Sequence, residues 1–451
     1  MINVSYFEIP LPEDIMKEKW SGHFKECINL INNRLKKDLP DALKKRLLLE
    51  LEVLERLPLQ YPYTYDGVLS DFRSYIPDFS EEDMDELIDL NQLEWIYIEG
   101  IKHFHRECID NIFKTRKDIA KRIIDKEKRD EETQPNEYLN EIIHKMKQQD
   151  QVSYRFTIRT TISINKEKPG QRIKVHLPIP IEYRQISDVK IIKVSHPYVE
   201  SHQDALAHTL YIDTIYSEGM TFEVEYSFIN REKYIEVDPS RVSDQQPHFY
   251  LEELSPHIVF TPYLRELARE IVGNESNPYL KAKLIYNYIT SHVNYSYVRS
   301  YFLIEDIAQY GARNLKGDCG IQALLFITLC RICGIPARWQ AGLYIFHEIC
   351  GNHDWAEIYI APYGWLSVDC SFGGSAFREG SQERREFYFG NLEPYRIPEC
   401  KDYQASLDPP RTYQRQDPYD NQTGEVEYED EGLYENDYKT VIKVIKKEEL
   451  M

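Results

Sequence analysis

The stretch Gly317-Asp318-Cys319-Gly320-Ile321-Gln322-Ala323-Leu324-Leu325 places a cysteine between a turn signal and an apolar run. Apolar side chains continue at helical spacing to Leu329, so we expect Cys319 in the first turn of a buried helix. A thiol there faces unpaired backbone N–H groups and the positive end of the helix dipole, which lower its pKa and favour the thiolate. The flanking glycines would let a substrate backbone approach, and the N–H of Cys319 would be one oxyanion donor.

A cysteine on an apolar helix is by itself more often inert, so its candidacy depends on partners elsewhere in the chain. His353 precedes an alternating stretch, residues 355–360, which predicts a strand. A turn and a second short strand then lead to Asp369. Antiparallel pairing of these strands would place Asp369 beside His353, where the carboxylate would orient the imidazole and stabilise the imidazolium. Cys319, His353 and Asp369 are therefore the predicted catalytic residues.

Several motifs, taken in order, resemble the core of the transglutaminase-like superfamily. They are Gly317-Asp318-Cys319-Gly320, Ala323-Leu324-Leu325, Leu329-Cys330-Arg331-Ile332-Cys333-Gly334-Ile335-Pro336-Ala337-Arg338, His353-Asp354-Trp355-Ala356-Glu357 and Gly364-Trp365-Leu366-Ser367-Val368-Asp369. The resemblance covers residues 257–400 and implies a papain-like α+β core. It also implies that Cys319 is the nucleophile, His353 the general base and acid, and Asp369 the orienting carboxylate.

Two positions depart from the pattern of that superfamily. His-Asp-Trp stands where His-Ala-Trp is more common, and Cys370 stands where a proline commonly follows the aspartate. Neither position carries a predicted catalytic atom. The added charge of Asp354 beside the imidazole is expected to raise the pKa of His353.

The superfamily that these motifs resemble includes protein cross-linkers, peptidases, amidases and members without catalysis. The shared chemistry would be attack of Cys319 on an amide carbonyl, protonation of the departing amine by His353, and a thioester acyl-enzyme. Water would then give hydrolysis and an amine would give transamidation. We expect a hydrolase, a peptidase or amidase, acting on a peptide or protein substrate; the alternative is a catalytically silent peptide- or protein-binding scaffold of the same fold.

The rest of the chain divides by hydrophobic period, and the predicted fold class is α+β multidomain. We expect an N-terminal helical region at 1–148, an antiparallel β-sandwich at 149–240, the transglutaminase-like core at 241–400 and an acidic Pro/Tyr-rich tail at 401–451. The helical region should include a capped helix after Ser80 and a long charged helix over residues 96–129. The tail should be extended over the core or partly disordered and solvated. In bacterial proteins that resemble this core, a β-domain often precedes it.

Composition limits the class of protein further. The chain has 451 residues, more than a single core usually holds, and a formal net charge of −20. That charge argues against nucleic acid as a partner, because phosphate binding needs a basic surface. Residues 1–10 lack the features of a signal peptide, and no apolar run is long enough for a membrane span, so we expect a cytoplasmic protein. The oligomeric state stays open.

Other motifs predict no cofactor and no metal. Cys330 and Cys333 have zinc-like spacing without a second pair of ligands, so two small packed side chains are the preferred interpretation. Cys350 and Cys370 could form a disulfide or respond to oxidation, but inert packing is favoured. Acidic residues of the tail could bind calcium, yet their spacing does not match an EF-hand loop, and a solvated tail is preferred.

Overall fold

The computed structural model describes residues 3–134, 136–346 and 349–450, without the side chains of Ile349 and Glu435. Met1 and Ile2, at the start of the segment inspected for a signal peptide, lie outside the described residues. Helices and several sheets combine in one chain, so the predicted mixed α and β class is confirmed. Short 3-10 helices lie at Val4–Glu8, Leu57–Gln60, Pro239–Arg241, Tyr301–Leu303 and Glu435–Asp437.

The N-terminal region is mainly helical, as its period predicts. Its helices are α1 (Glu13–Ser21), α2 (Phe24–Leu35), α3 (Asp41–Arg56), α4 (Tyr65–Tyr75), α5 (Glu81–Asp89), α6 (Cys108–Thr115), α7 (Lys117–Ala120), α8 (Lys126–Thr133) and α9 (Glu137–Gln149). The predicted capping box is present, because the Ser80 hydroxyl accepts from the Asp83 N–H and the Asp83 carboxylate accepts from the Ser80 N–H.

The predicted long helix over residues 96–129 is wrong. Its first part is a hairpin of β2 (Trp95–Ile98) and β3 (Ile101–Phe104), and β1 (Tyr63–Thr64) pairs with β3. Glu99 and Gly100 form the two-residue turn with φ of 49° and 79°, the left-handed values that tight hairpins require. The apolar residues 95–104 therefore lie in strands. Only the short helices α6, α7 and α8 follow within the predicted range and just beyond it.

The β-region shows the predicted period of two. Its strands are β4 (Gln151–Ile164), β5 (Arg172–Pro178), β6 (Ile186–Val194), β7 (Val199–Glu200), β8 (Thr209–Ile215) and β9 (Thr221–Lys233). Strands β4, β6 and β9 belong to a large sheet, and β5, β7 and β8 belong to a smaller one. Apolar side chains of both sheets join one core, including Phe156 and Val224 from the large sheet and Val175 and Ile212 from the small sheet.

Residues 262–400 build an α+β unit around a buried helix. The elements are α10 (Pro262–Val272), α11 (Pro278–His292), β10 (Asn294–Tyr295), α12 (Ile307–Asn314), β11 (Lys316–Gly317), α13 (Cys319–Ile332), β12 (Ala337–Phe346), β13 (Ile349–Ile360), β14 (Gly364–Val368), α14 (Cys370–Arg378), α15 (Gln382–Phe387), β15 (Phe389–Gly390) and β16 (Arg396–Cys400). Helix α13 is mostly apolar around its whole circumference. It can therefore pack between helices α10, α11 and α12 and the strands β12 and β13.

The C-terminal segment, residues 401–450, is not a solvated tail, so that part of the prediction is wrong. Strand β17 (Glu425–Tyr428) pairs with β5, and β18 (Tyr438–Leu450) pairs along β4. Lys443 of β18 also faces Ile349 of β13, so β18 joins the sheet of the core to that of the β-region. Buried ion pairs balance part of the acidic charge of this segment, such as those of Arg411 and Arg415 with Glu425.

A substitution at Gly424 tests whether the C-terminal segment packs against the β-region in this way. It has a φ of +80°, and an added Cβ would lie 2.6 Å from the His176 carbonyl oxygen and 2.8 Å from the side chain of Ile162. We expect Gly424→Ala to lower the free energy of unfolding by ~3 kcal/mol, since a left-handed alanine costs ~1 kcal/mol and overpacking adds ~1–3. Urea denaturation measures the loss. Gly219→Ala is the matched control, with a φ of +71° and open space around it. Equal losses in the two variants would mean that the segment is not packed against β5.

Candidate active site

Cys319 is the first residue of α13, as the sequence predicts. Asp318 is the N-cap, and its side chain accepts from the Ile321 N–H at 3.2 Å. The flanking glycines have a different role from the one expected. A Cβ at Gly317 would collide with the side chain of Ile321, and one at Gly320 would collide with the ring and hydroxyl of Tyr301. The side chains of Ile321 and Tyr301 therefore fill the space beside the two glycines that we expected a substrate backbone to use.

His353 and Asp369 are in direct contact. His353 lies on β13 and Asp369 directly follows β14, and the two strands pair antiparallel with Ala356 opposite Val368. His353 Nε2 lies 2.7 Å from Asp369 Oδ2. The other carboxylate oxygen, Oδ1, caps α14 by accepting from the Phe372 N–H at 2.9 Å and the Ser371 hydroxyl at 3.0 Å. Asp369 is thus held from two sides, and its contact with Nε2 leaves Nδ1 as the other ring nitrogen of His353.

Cys319, His353 and Asp354 line one cleft of about 850 Å³. Its walls also come from outside the core: His105 and Lys114 belong to the N-terminal region, and Gln422 belongs to the C-terminal segment. The Gln422 amide donates to Asp354 Oδ1 at 2.7 Å and to the His353 carbonyl oxygen at 3.2 Å. The C-terminal segment therefore contacts the backbone of a predicted catalytic residue.

The fold and this geometry agree with the comparison with known families. Residues 265–370 match the family described as Transglutaminase-like superfamily. This segment is a transglutaminase-like domain. The resemblance noted in the sequence is confirmed for it, and it contains Cys319, His353 and Asp369.

Similar proteins outside the family match are distant. An "Uncharacterized protein" of Haemophilus influenzae is 24% identical over 257 residues, which are 48% of this chain and 68% of that protein. A structure described as a "Putative Cysteine Protease" from Cytophaga hutchinsonii is similar with a TM-score of 0.42 at 16% identity, covering 65% of this chain and 98% of that one. The periplasmic domain of TgpA from Pseudomonas aeruginosa gives a TM-score of 0.27 at 15% identity, covering 54% of this chain and 95% of that one.

Within the part of this chain that the structure describes, no helix has both the length and the apolar character needed to cross a membrane.

The electrostatics of the transglutaminase-like domain differ from the sequence prediction. Burial raises the pKa of the Cys319 thiol well above its usual value, and the carboxylates of Asp354 and Asp318 add to the effect. Burial lowers the pKa of His353, and Arg396 lowers it further against the opposing effect of Asp369. The predicted low thiol pKa is therefore wrong for the resting site, and so is the raised pKa of His353. Both shifts favour a neutral thiol and a neutral imidazole in the resting pair.

Asp354 contacts the thiol of Cys319, and Tyr301 contacts Asp354 and the backbone next to Cys319; sequence reasoning assigned neither to the site as a functional group. Cys319 Sγ lies 3.5 Å from Asp354 Oδ2, within reach of a hydrogen bond to sulfur. The Tyr301 oxygen accepts from the Gly320 N–H at 3.0 Å and lies 2.8 Å from Asp318 Oδ1 and 3.2 Å from Asp354 Oδ2. The sequence did show Asp354 as a charged residue next to His353, at a position where alanine is more common in the superfamily that the sequence resembles. Tyr301 had no local signal, because it lies in a 3-10 turn outside every motif.

Arg396 is a further partner of the predicted catalytic residues. Its side chain is fully buried, with Nη1 2.9 Å from Asp369 Oδ2 and Nε 2.7 Å from Glu393 Oε1. The rings of Phe372 and Tyr344 flank the guanidinium, whose central carbon lies 4.2 and 4.9 Å from their centres. Burial acts against the charged form of Asp369, but His353 and Arg396 hold its pKa below the usual value. Asp369 is therefore a carboxylate at neutral pH.

Several of the other cysteines and tryptophans are buried in the core. All eight cysteines are free, and Cys330 and Cys370 are buried, so no disulfide joins Cys350 to Cys370. Trp339 and Trp355 are fully buried in the core. Within the described residues, no group of three or more His, Cys, Asp or Glu side chains is arranged to hold a metal ion.

Asp417, on the C-terminal wall of the cleft, predicts a pH effect on stability. Burial raises its pKa to about 7, and Glu425 and Asp318 add to the shift against Arg415. The folded state then keeps a proton that the unfolded chain loses near pH ~3.9, so this group costs progressively more stability as the pH rises from ~4 to 7. We expect Asp417→Asn to stabilise the protein at pH 8 by about 2–3 kcal/mol more than at pH 5. Urea denaturation at both pH values measures this difference, with the exposed Asp66→Asn as control. A gain that does not change with pH would contradict the shifted pKa.

Proposed function

We propose that this protein is a cysteine hydrolase, a peptidase or amidase, that cleaves peptide or protein amides through a thioester on Cys319. The observation that carries the proposal is the placement of Cys319 at the start of α13 in the same cleft as His353, whose Nε2 is hydrogen-bonded to Asp369. A nucleophile, a base and a group that orients the base form the constellation for acyl transfer.

The chemistry follows from the protonation of the resting pair. His353 Nδ1 takes the thiol proton while the sulfur of Cys319 bonds to the amide carbon. The carbon–nitrogen bond then breaks, and the departing amine takes that proton from the imidazolium. A water molecule then attacks the thioester carbon and gives one proton to His353. The carbon–sulfur bond breaks, the carboxylic acid leaves, and the sulfur of Cys319 takes that proton back from the imidazolium. Asp369 remains ionised and stabilises the imidazolium in both halves.

Hydrolysis is favoured over transamidation by the character of the cleft. Charged and polar side chains from three parts of the chain line it, among them Lys114, Asp417 and Gln422. Such a surface holds water close to the thioester. Transamidation needs a site that excludes water and admits an amine.

A catalytically silent peptide-binding scaffold is the second candidate, and one observation favours it. The thiol of Cys319 contacts a carboxyl group and has a raised pKa, which is the environment of an unreactive cysteine. The proposed activity therefore requires that substrate binding brings the thiol proton to His353.

The test is to incubate the protein with a peptide mixture, quench in acid, and measure both the peptides and the intact mass of the protein. Cleaved peptides and an acyl adduct on Cys319, both lost in Cys319→Ala, would support the proposal. Addition of a primary amine that appears in the products in place of water would identify a transamidase. Peptides retained on the protein, with no cleavage and no adduct, would identify a binding scaffold.

A further inference from the structure

The protons around Tyr301 can be counted. The Tyr301 oxygen accepts from the Gly320 N–H, and the hydroxyl has a single hydrogen to give. Asp318 Oδ1 is the nearer acceptor at 2.8 Å, and it also accepts from the Ile321 N–H. The Tyr301 hydrogen therefore belongs to Asp318. Asp354 Oδ2, 3.2 Å from the same oxygen, then faces a lone pair.

The two oxygens of Asp354 have different surroundings. Oδ1 accepts from the Gln422 amide, which can only donate through its nitrogen. Oδ2 lies between Cys319 Sγ, whose thiol hydrogen it can accept, and the Tyr301 oxygen, whose own hydrogen goes to the nearer Asp318 Oδ1. The side chain is 3% exposed, and its hydrogen-bond partners in the described chain include no cationic group. A proton on Oδ2 is donated to the Tyr301 oxygen in the resting site while Oδ2 accepts from the Cys319 thiol, and it can turn to a substrate oxygen beside the sulfur; a carboxylate would leave the Asp354 and Tyr301 oxygens facing each other without a hydrogen.

We propose that Asp354 is a neutral carboxylic acid whose Oδ2–H donates a hydrogen bond to the oxyanion formed when Cys319 attacks, beside the N–H of Cys319. The inference rests on the proposed function and adds a catalytic residue to it. An atom 3.5 Å from Sγ is close enough to reach the oxygen of a carbon bonded to that sulfur. An alanine, the residue more common at this position in the superfamily that the sequence resembles, could not donate.

The ionisable surroundings of Asp354 support the neutral form. Tyr301, Asp318 and Cys319 face it from the core, and Asp417 and Asp420 face it from the C-terminal segment. Burial, followed by Asp318 and Asp417, raises the pKa of Asp354 well above its usual value, against the hydrogen bonds of Cys319 and Tyr301, which lower it. A neutral buried carboxylic acid can act as a hydrogen-bond donor to an oxyanion at neutral pH.

No net proton transfer to or from Asp354 is involved. The thiol proton moves to His353 as the sulfur–carbon bond forms, and the carbonyl π electrons move onto the oxygen. Asp354 shares its hydrogen with that oxygen and keeps it when the carbonyl reforms and the amine leaves. Its contribution is therefore confined to stabilising the charge that develops on the oxygen.

The test compares Asp354→Asn with Asp354→Ala on a peptide that the wild type cleaves. The asparagine can accept from Gln422 through oxygen and donate through nitrogen, so we expect kcat within ~10-fold of wild type. The alanine has no donor, and we expect kcat to fall ~10²–10³-fold with a smaller change in KM. The wild-type kcat should also decline at high pH as Asp354 ionises, and this decline should be absent in Asp354→Asn.

The other outcomes overturn the inference. An asparagine variant as impaired as the alanine variant would show that a carboxylate is required, and an alanine variant faster than wild type would show that Asp354 restrains the thiol. An infrared band of a buried protonated carboxyl, lost in Asp354→Asn, is expected without any substrate, and its absence at pH 7 would refute the neutral state. If the wild type and Cys319→Ala equally fail to cleave peptides, the proposed function itself fails, whatever the infrared result.

Discussion

Replacing His353 with alanine will lower kcat/KM for a cleaved peptide by at least ~10³ at pH 7. The reason is the neutral resting pair. Because burial raises the pKa of Cys319, the fraction of thiolate without a base is very small, and the imidazole is needed for attack itself as well as for protonation of the leaving amine. Steady-state cleavage from pH 6 to 9 measures the loss.

The histidine variant has a matched control in His292→Ala, an exposed histidine at the end of α11 that does not line the catalytic cleft. We expect that variant to cleave at the wild-type rate. A His353→Ala variant that keeps more than a tenth of the activity would mean that another group takes the thiol proton. Asp354 would then be the first alternative, because its Oδ2 is 3.5 Å from the sulfur.

The raised pKa of Cys319 also changes how a thiol-alkylation experiment should be interpreted. An activated cysteine is expected to react with iodoacetamide well below the free-thiol pKa of ~8.5, but the buried thiol of Cys319 should react slowly in the absence of substrate. Slow labelling at pH 6 is therefore compatible with catalysis in this site. The acyl adduct formed with substrate is the informative measurement.

The parts of the site set by local sequence were predictable. The apolar run after Cys319 and the capping aspartate before it determine where α13 begins, and a short turn between two alternating stretches brings His353 to Asp369. Each of these contacts depends on spacing within one motif or between neighbouring strands. The region of residues 151–233 was predictable for the same reason, since a period of two is visible in the burial of much of β4 and β9.

The contacts made by distant residues were not predictable. Gln422, Tyr301 and Arg396 reach the site from separate segments, and nothing in their own neighbourhoods marks them. The thiol pKa was missed because two effects oppose each other. A helix terminus is worth ~0.3–1 kcal/mol, whereas full burial shifts a pKa by up to ~3–5 units at ~1.4 kcal/mol per unit. Burial therefore determines the sign, and burial is known only once the chain is folded.

Replacing Arg396 with leucine will lower the free energy of unfolding by ~3–5 kcal/mol. The guanidinium is fully buried and compensates Asp369 and Glu393, which are also buried, so its removal leaves two carboxylates without a cation. Urea denaturation measures the loss. Arg269→Leu is the control, because its ion pair with Glu266 is exposed on α10 and such pairs add little to stability. A loss below ~1 kcal/mol in Arg396→Leu would show that the carboxyl groups take up protons or find other partners.

Arg396 should also influence the pH dependence of catalysis, which separates its electrostatic role from its role in packing. The guanidinium lowers the pKa of His353, so its loss should raise that pKa. The base is active only when neutral, and the acid limb of the kcat/KM profile should therefore move to higher pH in Arg396→Gln. Arg396→Lys keeps the charge without the planar fork, so it should lose stability but keep the acid limb near that of the wild type. An acid limb that shifts equally in both variants would mean that the geometry of the pair of His353 and Asp369, and not the charge of Arg396, sets the pKa of the base.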